Sequence, residues 1–237
     1  MDFIELWPGG PEFCDAGHFG LSTDSVLLSD FINIGGAGRG IDLGAGAGII
    51  SLLLLCRSAR LHMTGLEILP DAAEVFESNM ARNGLSSRSN IRRGDIRSHR
   101  ELFRSGEFDL AAANPPYFPV ERGALSPVSG RDAARGESLC TLHDLCAAAA
   151  FLLHTGGRFC LVHKPERLSE IFCAMTAVGI EPKRLRLCFH RADTRPSLVL
   201  IEGKRGGKPG LIIENPLILH KADGSDTAEM RRIYHLT

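Results

Sequence analysis

A turn with three glycines is the first feature of the chain that could bind a small molecule. It begins two residues after Asp42 and contains Gly44, Gly46 and Gly48, whose missing side chains let a ligand lie against the backbone. A dinucleotide fingerprint, G-x-G-x-x-G, would need a further glycine where the chain has Ile49. The spacing therefore predicts a ligand without a pyrophosphate, and the acid beside the turn suits a ligand that carries positive charge.

Acidic residues follow the next two predicted strands. Glu67 lies about twenty residues beyond the turn, where α/β nucleotide-binding folds present an acid to the two hydroxyls of a ribose. Asp95 stands in a Gly-Asp turn after the third strand. Together with their neighbours Ile68 and Ile96, these acids extend the predicted binding site.

The segment Asn114-Pro115-Pro116-Tyr117 is the most specific signal in the sequence. A given string of four uncommon residues arises by chance in about one chain in several hundred. The segment ends a strand, because the double proline stops strand pairing and begins a loop.

The turn and this segment together resemble the motifs of S-adenosylmethionine-dependent amino-methyltransferases. The turn preceded by an acid resembles their motif I, and Asn-Pro-Pro-Tyr resembles the motif of enzymes that methylate nitrogens conjugated to a ring or carbonyl, including adenine N6 and glutamine N5. The resemblance implies S-adenosylmethionine as the cofactor. It implies that Asp42 and the glycines hold the methionine part, Glu67 the ribose and Asp95 the adenine amino group.

The resemblance also implies catalytic roles for the Asn-Pro-Pro-Tyr segment. A conjugated nitrogen is a poor nucleophile because its lone pair is delocalised. The side-chain oxygen of Asn114 and the backbone carbonyl of Pro115 are expected to accept its two hydrogen bonds, which stabilises charge where it develops. Asn114 also belongs to the implied cofactor site, and Tyr117 offers a ring against which a flipped base can stack.

A helix start lies upstream of the glycine turn. Residues 22–28, S-T-D-S-V-L-L, predict a helix with Thr23 or Asp24 as its N-cap. This segment resembles the Thr-Asp segment of small-domain adenine methyltransferases, which covers the methionine end of the cofactor. Thr23 and Asp24 are therefore expected in the cofactor site.

Over nearly its full length the chain resembles the bacterial family that N6-methylates adenine 37 of a valine tRNA. Residues 79–84, the loop 131–137 and the tail from 216 to Tyr234 add to the motifs above. The resemblance implies a tRNA or another structured RNA as partner. Arg122, Arg131 and Arg135 are expected to hold its phosphates around an extruded adenine.

From residue 39 onward, short apolar runs alternate with helical segments, which predicts an α/β fold with a mostly parallel sheet between helices. The resemblance implies a Rossmann-like class I methyltransferase with seven strands. Residues 1–38 are expected to form a short N-terminal cap and residues 39–237 the methyltransferase domain. The predicted strands are 40–43, 61–66, 89–93, 108–113, 157–163, 185–189 and 198–202, and the predicted helices are 49–57, 70–84, 139–154 and 165–178.

Composition limits the class of protein. The 237 residues are 44% hydrophobic and 23% charged with a net charge of −1, which fits one globular domain or at most two and excludes disorder, collagen and coiled coil. No apolar stretch approaches the roughly 20 residues that cross a bilayer, and the first residues lack a basic signal region. Seven scattered cysteines without a Cys-x-x-Cys pair predict no metal site and a reducing, cytoplasmic location.

Charge is unevenly distributed along the chain. Residues 1–38 carry six acids and no Lys or Arg, residues 88–104 carry six arginines, and residues 181–208 carry eight Lys or Arg. This pattern fits a basic face for a polyanion, and it equally fits ordinary solvated loops and edge strands.

Two alternative functions remain open at this point. A glutamine N5-methyltransferase of the release-factor type uses the same motif because an amide nitrogen poses the same electronic problem, although that family has a separate helical recognition domain. A non-catalytic RNA-binding module with a cofactor pocket is the other alternative, although binding alone does not require the acceptor pair of Asn114 and Pro115.

Overall fold

The fold is seen in a computed structural model that describes residues 2–15, 22–116 and 140–236. Its strands are β1 (Ile4–Glu5), β2 (Glu12–Phe13), β3 (Arg39–Leu43), β4 (His62–Glu67), β5 (Ser89–Arg93), β6 (Phe108–Ala113), β7 (Leu153–His163), β8 (Ile180–Phe189), β9 (Pro196–Arg205), β10 (Ile212–Ile213) and β11 (Leu217–Ile218). Its helices are α1 (Thr23–Phe31), α2 (Ile49–Arg57), α3 (Pro70–Arg82), α4 (His99–Leu102), α5 (Leu142–Leu152), α6 (Leu168–Ala177) and α7 (Ala228–Ile233), with short 3-10 turns at Ser86–Arg88, Ile96–Ser98 and Pro165–Arg167.

The central sheet has the strand order β10-β8-β9-β7-β6-β3-β4-β5, and β11 also pairs with β8. Strands β3 to β7 are mutually parallel, and β9 runs antiparallel between β7 and β8. The predicted fold class is confirmed. The described sheet has nine strands rather than the expected seven, because two strands of two residues each pair along β8.

Helices cover both faces of the sheet because its strands are apolar on both sides. One apolar cluster joins α1, α2, α3 and α7 to one face, and a second joins α5 and α6 to the other. Helix α2, with the sequence IISLLLLCR, is almost entirely buried. Helix α3 is amphipathic and is followed by Gly84, whose φ of +67° favours glycine at a helix end.

The N-terminal residues dock onto the same structure. Strands β1 and β2 form an antiparallel pair, and Asn83 at the end of α3 binds the backbone N–H and carbonyl of Glu12 at 2.9 and 2.7 Å. Helix α1 belongs to the apolar cluster that contains α2. The division between a cap at 1–38 and a domain at 39–237 stays a prediction.

The structure differs from the sequence predictions at several element boundaries. The N-cap of α1 is Ser22 rather than Thr23 or Asp24, because Ser22 has extended backbone angles and its hydroxyl accepts the Ser25 N–H. Helix α5 ends at Leu152 rather than near residue 154, and β7 begins at once at Leu153. In the described ranges no helix is long and apolar enough to cross a membrane.

Candidate active site

A cleft lies at the carboxyl ends of the parallel strands. Strand β3 pairs with β4 on one side and with β6 on the other, and a sheet opens a crevice where its strand order reverses in this way. Two adjoining pockets of about 270 and 300 Å³ lie there, and both are lined by Gly44, Asn114, Pro115 and Pro116. The two main sequence motifs therefore meet in one cleft.

The three positions of the turn require glycine for different structural reasons. Gly44 has a φ of +75°, and a Cβ built on it would meet no atom within 4 Å, so this point of the backbone borders open space where a ligand fits. Gly46 also has a positive φ, of +52°. Gly48 has a φ of +85°, and a Cβ on it would also overlap Cδ2 of Phe76, so both backbone conformation and packing require glycine there.

Asp42 lies beneath the turn and is 1% exposed. Its Oδ2 accepts a hydrogen bond from the Ser51 hydroxyl at 3.0 Å, whereas its buried Oδ1 has no hydrogen-bond partner among the described residues. Burial raises the pKa of this carboxyl from 3.8 to about 7, against the Ser51 hydrogen bonds and with a smaller contribution from the charge of Glu67. A buried acceptor that lacks a donor fits a ligand with amino and sulfonium groups, as S-adenosylmethionine has.

Glu67 joins the glycine turn to the end of β4. Its Oε2 accepts the Gly46 N–H and its Oε1 accepts the Leu69 N–H, both at 2.9 Å. An ionised carboxylate has about four lone-pair sites, so these bonds leave acceptor capacity for the ribose hydroxyls predicted from the sequence. The next residue, Ile68, is 40% exposed.

Asp95 is engaged by its own turn. Its Oδ1 accepts the Arg97 N–H at 2.8 Å, and its Oδ2 pairs with Arg97 Nη2 at 2.5 Å. This hydrogen bonding lowers the pKa of Asp95. Ile96, the following residue, lines the 270 Å³ pocket, so the structure brings this part of the predicted cofactor site to the cleft.

The side chain of Asn114 points its amide nitrogen at the start of α1. Nδ2 lies 2.8 Å from Ser25 Oγ and 3.3 Å from Ser22 Oγ. Because the nitrogen donates to these hydroxyls, the amide oxygen lies at the other end of the group. Tyr117 and the predicted RNA contacts Arg122, Arg131 and Arg135 lie outside the described residues.

The Thr-Asp segment borders the same cleft. Asp24 lines the 300 Å³ pocket and, with Thr23, a neighbouring groove of about 420 Å³. Thr23 Oγ1 accepts a hydrogen bond from the Tyr234 hydroxyl at 3.4 Å. The C-terminal segment therefore contacts the helix that borders the site.

Several residues that shape the site had no recognised role in the sequence. Asn79, on the buried face of α3, donates to the carbonyls of Cys14 and Ala47 at 2.8 Å each and accepts the Cys14 N–H at 2.8 Å. It thereby fixes the glycine turn to the N-terminal segment. The sequence feature that could have indicated this role is a polar residue among the apolar positions of α3. For Ser25 and Ser51 the sequence offered no such signal.

His163 and Arg167 also line the 270 Å³ pocket. His163 is 1% exposed, and burial lowers its pKa from 6.5 to about 4. Its Nδ1 accepts the Lys164 N–H at 2.7 Å. The ring is therefore neutral near pH 7, with its proton on Nε2.

Arginines of the two basic stretches largely have structural partners. Arg88 donates to the carbonyls of Ser58 and Leu61 at 2.7 and 3.1 Å. Arg184 donates to the carbonyl of Phe31 at 2.6 Å. These guanidinium groups satisfy carbonyls near the ends of α2 and α1, so they do not belong to a basic face for a polyanion.

A sequence profile for the family described as Methyltransferase small domain matches residues 20–178. The chain belongs to this family. The resemblance found in the sequence and the prediction of S-adenosylmethionine as cofactor are confirmed with it. In the described ranges there is no group of three or more His, Cys, Asp or Glu side chains that could hold a metal ion.

The chain is similar to proteins named tRNA1(Val) (adenine(37)-N6)-methyltransferase, two of which show the extent of this similarity. The protein from Porphyromonas gingivalis is 31% identical over 223 residues, which cover 90% of this chain and 86% of the relative. The protein from Tolumonas auensis is 30% identical over 210 residues, which cover 88% and 85%. The chain is thus similar to these proteins over most of both lengths.

Solved structures support the fold. A protein described as a predicted O-methyltransferase from Agrobacterium tumefaciens superposes with a TM-score of 0.73 at 20% identity, covering 90% of this chain and 96% of that one. TrmN from Thermus thermophilus superposes with a TM-score of 0.57 at 17% identity, covering 76% and 48%. The class I methyltransferase architecture is therefore confirmed.

Proposed function

We propose that this protein transfers the methyl group of S-adenosylmethionine to the exocyclic N6 of an adenine in tRNA, at position 37. The observation that carries the proposal is the position of Asn114-Pro115-Pro116 at the end of β6, in the cleft that also contains the glycine turn. The relatives named for this reaction support the choice of substrate.

The residues of the cleft fit transfer to a conjugated amine. S-adenosylmethionine supplies, when bound, an electrophilic methyl group on a positively charged sulfur. Asn114 Oδ1 and the Pro115 carbonyl would accept hydrogen bonds from the two N–H groups of the target nitrogen and stabilise the positive charge that forms there. Pro115 and Pro116 restrict the backbone, so these acceptors need little reorganisation.

The proposal gives no proton-accepting role to His163. The ring is neutral at pH 7, its Nδ1 accepts the Lys164 N–H, and its pKa of about 4 makes it a weak base. Methyl transfer with two neutral acceptors needs no strong base, since the product loses its proton readily to water once the nitrogen is positively charged.

The 420 Å³ groove supports an RNA partner. It contains Lys164, His190 and the Tyr234 hydroxyl, and it shares Asp24 with the 300 Å³ pocket of the cleft. We infer that the strand next to the target base runs along this groove, where the Lys164 amine and the His190 imidazole suit phosphate oxygens. Arg122, Arg131 and Arg135 remain proposed phosphate contacts.

A cytoplasmic location belongs to the same proposal. None of the seven cysteines, all of which lie within the described ranges, forms a disulfide bond, which fits a reducing compartment.

The test is a labelling experiment on the full chain. The protein is incubated with methyl-labelled S-adenosylmethionine and, separately, with unmodified total tRNA and with a cell-extract protein fraction, and the labelled residue is identified by mass spectrometry. N6-methyladenine in tRNA, mapped to position 37, is the expected result. Label on a protein glutamine instead would mean that the same two acceptors act on an amide substrate. Cofactor binding without label in either fraction would favour a binding module.

A further inference from the structure

Two serines at the start of α1 hold the amide of Asn114 from a distant part of the sequence. The Asn114 Nδ2 lies 2.8 Å from Ser25 Oγ and 3.3 Å from Ser22 Oγ, and the Ser22 hydroxyl lies 3.1 Å from Ser25 Oγ. Ser25 is 5% exposed, whereas Ser22 and Asn114 are half-buried, and all three line the 300 Å³ pocket of the cleft.

The hydrogen bonds of an asparagine decide which end of its amide faces a ligand. The oxygen and nitrogen ends have nearly the same size, and the terminal torsion has two broad wells related by half a turn. Only the acceptor or donor character of the surrounding groups distinguishes these orientations. At Asn114 the two serine hydroxyl oxygens lie beside the amide nitrogen. The Asn-Pro-Pro segment that begins with this residue lines both pockets of the cleft.

We propose that Ser25 is a positioning residue for methyl transfer. Its hydroxyl oxygen accepts the amide N–H of Asn114 and thereby selects the orientation that presents Oδ1 to the amine being methylated. Ser22 makes the longer contact and caps α1, so it supports Ser25. The proposal rests on the proposed function, because it assigns the acceptor role to Oδ1.

Loss of the Ser25 hydroxyl has a specific expected consequence. With the 2.8 Å contact to Ser25 lost and the 3.3 Å contact to Ser22 retained, the reversed orientation of the Asn114 amide would gain population. In the reversed one, its N–H groups would face the N–H groups of the substrate, and that fraction of the enzyme would be unproductive. The rate of transfer falls, while the affinity for the cofactor is retained.

The experiment compares Ser25→Ala with a matched control, Ser29→Ala. Ser29 lies one turn further along α1, is 2% exposed, and donates its hydroxyl to the Ser25 carbonyl at 2.7 Å without touching Asn114. Single-turnover transfer from labelled S-adenosylmethionine to an unmodified valine tRNA transcript should slow about tenfold in Ser25→Ala, or about 1.4 kcal/mol, and less than twofold in Ser29→Ala. Cofactor affinity, measured by calorimetry, should change less than twofold in both.

A second measurement does not depend on any substrate. The side-chain amide signals of Asn114 in ¹⁵N NMR, assigned by their absence from Asn114→Asp, should exchange with solvent faster in Ser25→Ala and at the wild-type rate in Ser29→Ala. If wild-type protein methylates no tRNA, the proposed function fails and this measurement still decides the role of Ser25.

Three results of the transfer and affinity measurements would overturn the proposal. They are transfer by Ser25→Ala within twofold of wild type, an equal loss of transfer in Ser29→Ala, and a loss of cofactor affinity that accounts for the slower transfer. Unchanged amide exchange of Asn114 in Ser25→Ala would overturn it as well.

Discussion

Asp42→Asn should stabilise the ligand-free protein at neutral pH while it weakens cofactor binding. The carboxyl of Asp42 is buried, has one hydrogen-bonded oxygen and one without a partner among the described residues, and has its pKa raised to about 7 mainly by burial. The charged form is therefore costly in the folded state, and the variant removes this charge.

The sign and size of the effect follow from the two pKa values. In the unfolded chain this carboxyl ionises near its ordinary value of 3.8, and in the folded protein near 7, so between these values the folded state holds one more proton. The contribution of this proton to the free energy of unfolding is fully present below about pH 4. It decreases by about 1.36 kcal/mol for each pH unit between the two pKa values and is lost as the pH rises through 7. Three units correspond to roughly 4 kcal/mol. An unpaired buried amide N–H costs about 1–3 kcal/mol, so a net gain of about 1–3 kcal/mol is expected for the variant at pH 8.

The assay is urea unfolding of wild type and Asp42→Asn at pH 5, 6, 7 and 8, with Asp144→Asn as the control. Asp144 accepts the N–H and hydroxyl of Thr141 at 3.0 and 2.7 Å, which lower its pKa, so its variant should be destabilised at pH 8. Asp42→Asn should also bind S-adenosylmethionine at least about tenfold more weakly, a stability–function trade-off. The reasoning is refuted if Asp42→Asn is no more stable than wild type at pH 8, or if their difference is the same at pH 5 and pH 8.

Asn114→Ala should keep its affinity for S-adenosylmethionine in calorimetry but lose methyl transfer by about 10²-fold or more, as when one donor of an oxyanion hole is removed; an equal loss of both would indicate a structural role. Gly48→Ala should lower the urea midpoint, because its Cβ would overlap the Phe76 ring and its φ is +85°, and overpacking alone costs about 1–3 kcal/mol. Gly84→Ala, where φ is also positive, at +67°, but a Cβ meets nothing within 4 Å, should lower the midpoint less, and equal effects of the two variants would contradict the packing argument. Arg135→Ala should reduce the slope of log affinity against log salt for tRNA by about 0.7–0.9; an unchanged slope and affinity would remove this residue from the RNA contact.

Elements with a strong local pattern could be predicted from the sequence. The apolar run of α2 was predicted with the bounds that the structure has, as were β5 and β6. Helix α2 and strand β6 are specified by their own residues, through apolar runs bounded by Gly, Pro or charged residues. Strand β5, with the sequence SNIRR, has a single apolar residue and pairs in parallel with β4. The strands β8 and β9 are longer than predicted, because their polar outer residues pair in the sheet without adding to the apolar run.

Contacts between distant segments could not be predicted in this way. Ser25 and Asn114 are 89 positions apart, and nothing in either segment indicates that their side chains meet. Asn79 likewise joins segments 65 and 32 positions away. Such contacts depend on how the helices pack on the sheet, which a single sequence does not record.

The charge pattern was ambiguous for a related physical reason. Arginine has five N–H donors on a planar group, so it satisfies backbone carbonyls at helix ends as readily as it binds phosphate. Arg88 and Arg184 do the former, although both lie in the stretches that suggested a polyanion. Net charge per segment counts these residues without regard to the groups that surround them.

The three acids predicted to hold the cofactor differ in what binding would cost them. Asp95 is paired with Arg97 at the surface, and exposed ion pairs contribute only about 0–1 kcal/mol, so an adenine amino group can take the place of Arg97 with little loss. Glu67 already holds the glycine turn through the Gly46 N–H and can accept ribose hydroxyls without giving up that bond. Asp42 is 1% exposed, and burial raises its pKa to about 7, so a positively charged ligand relieves a penalty that the folded protein otherwise carries. The largest electrostatic contribution to cofactor affinity is therefore expected at Asp42, and it should increase with pH until this carboxyl is ionised.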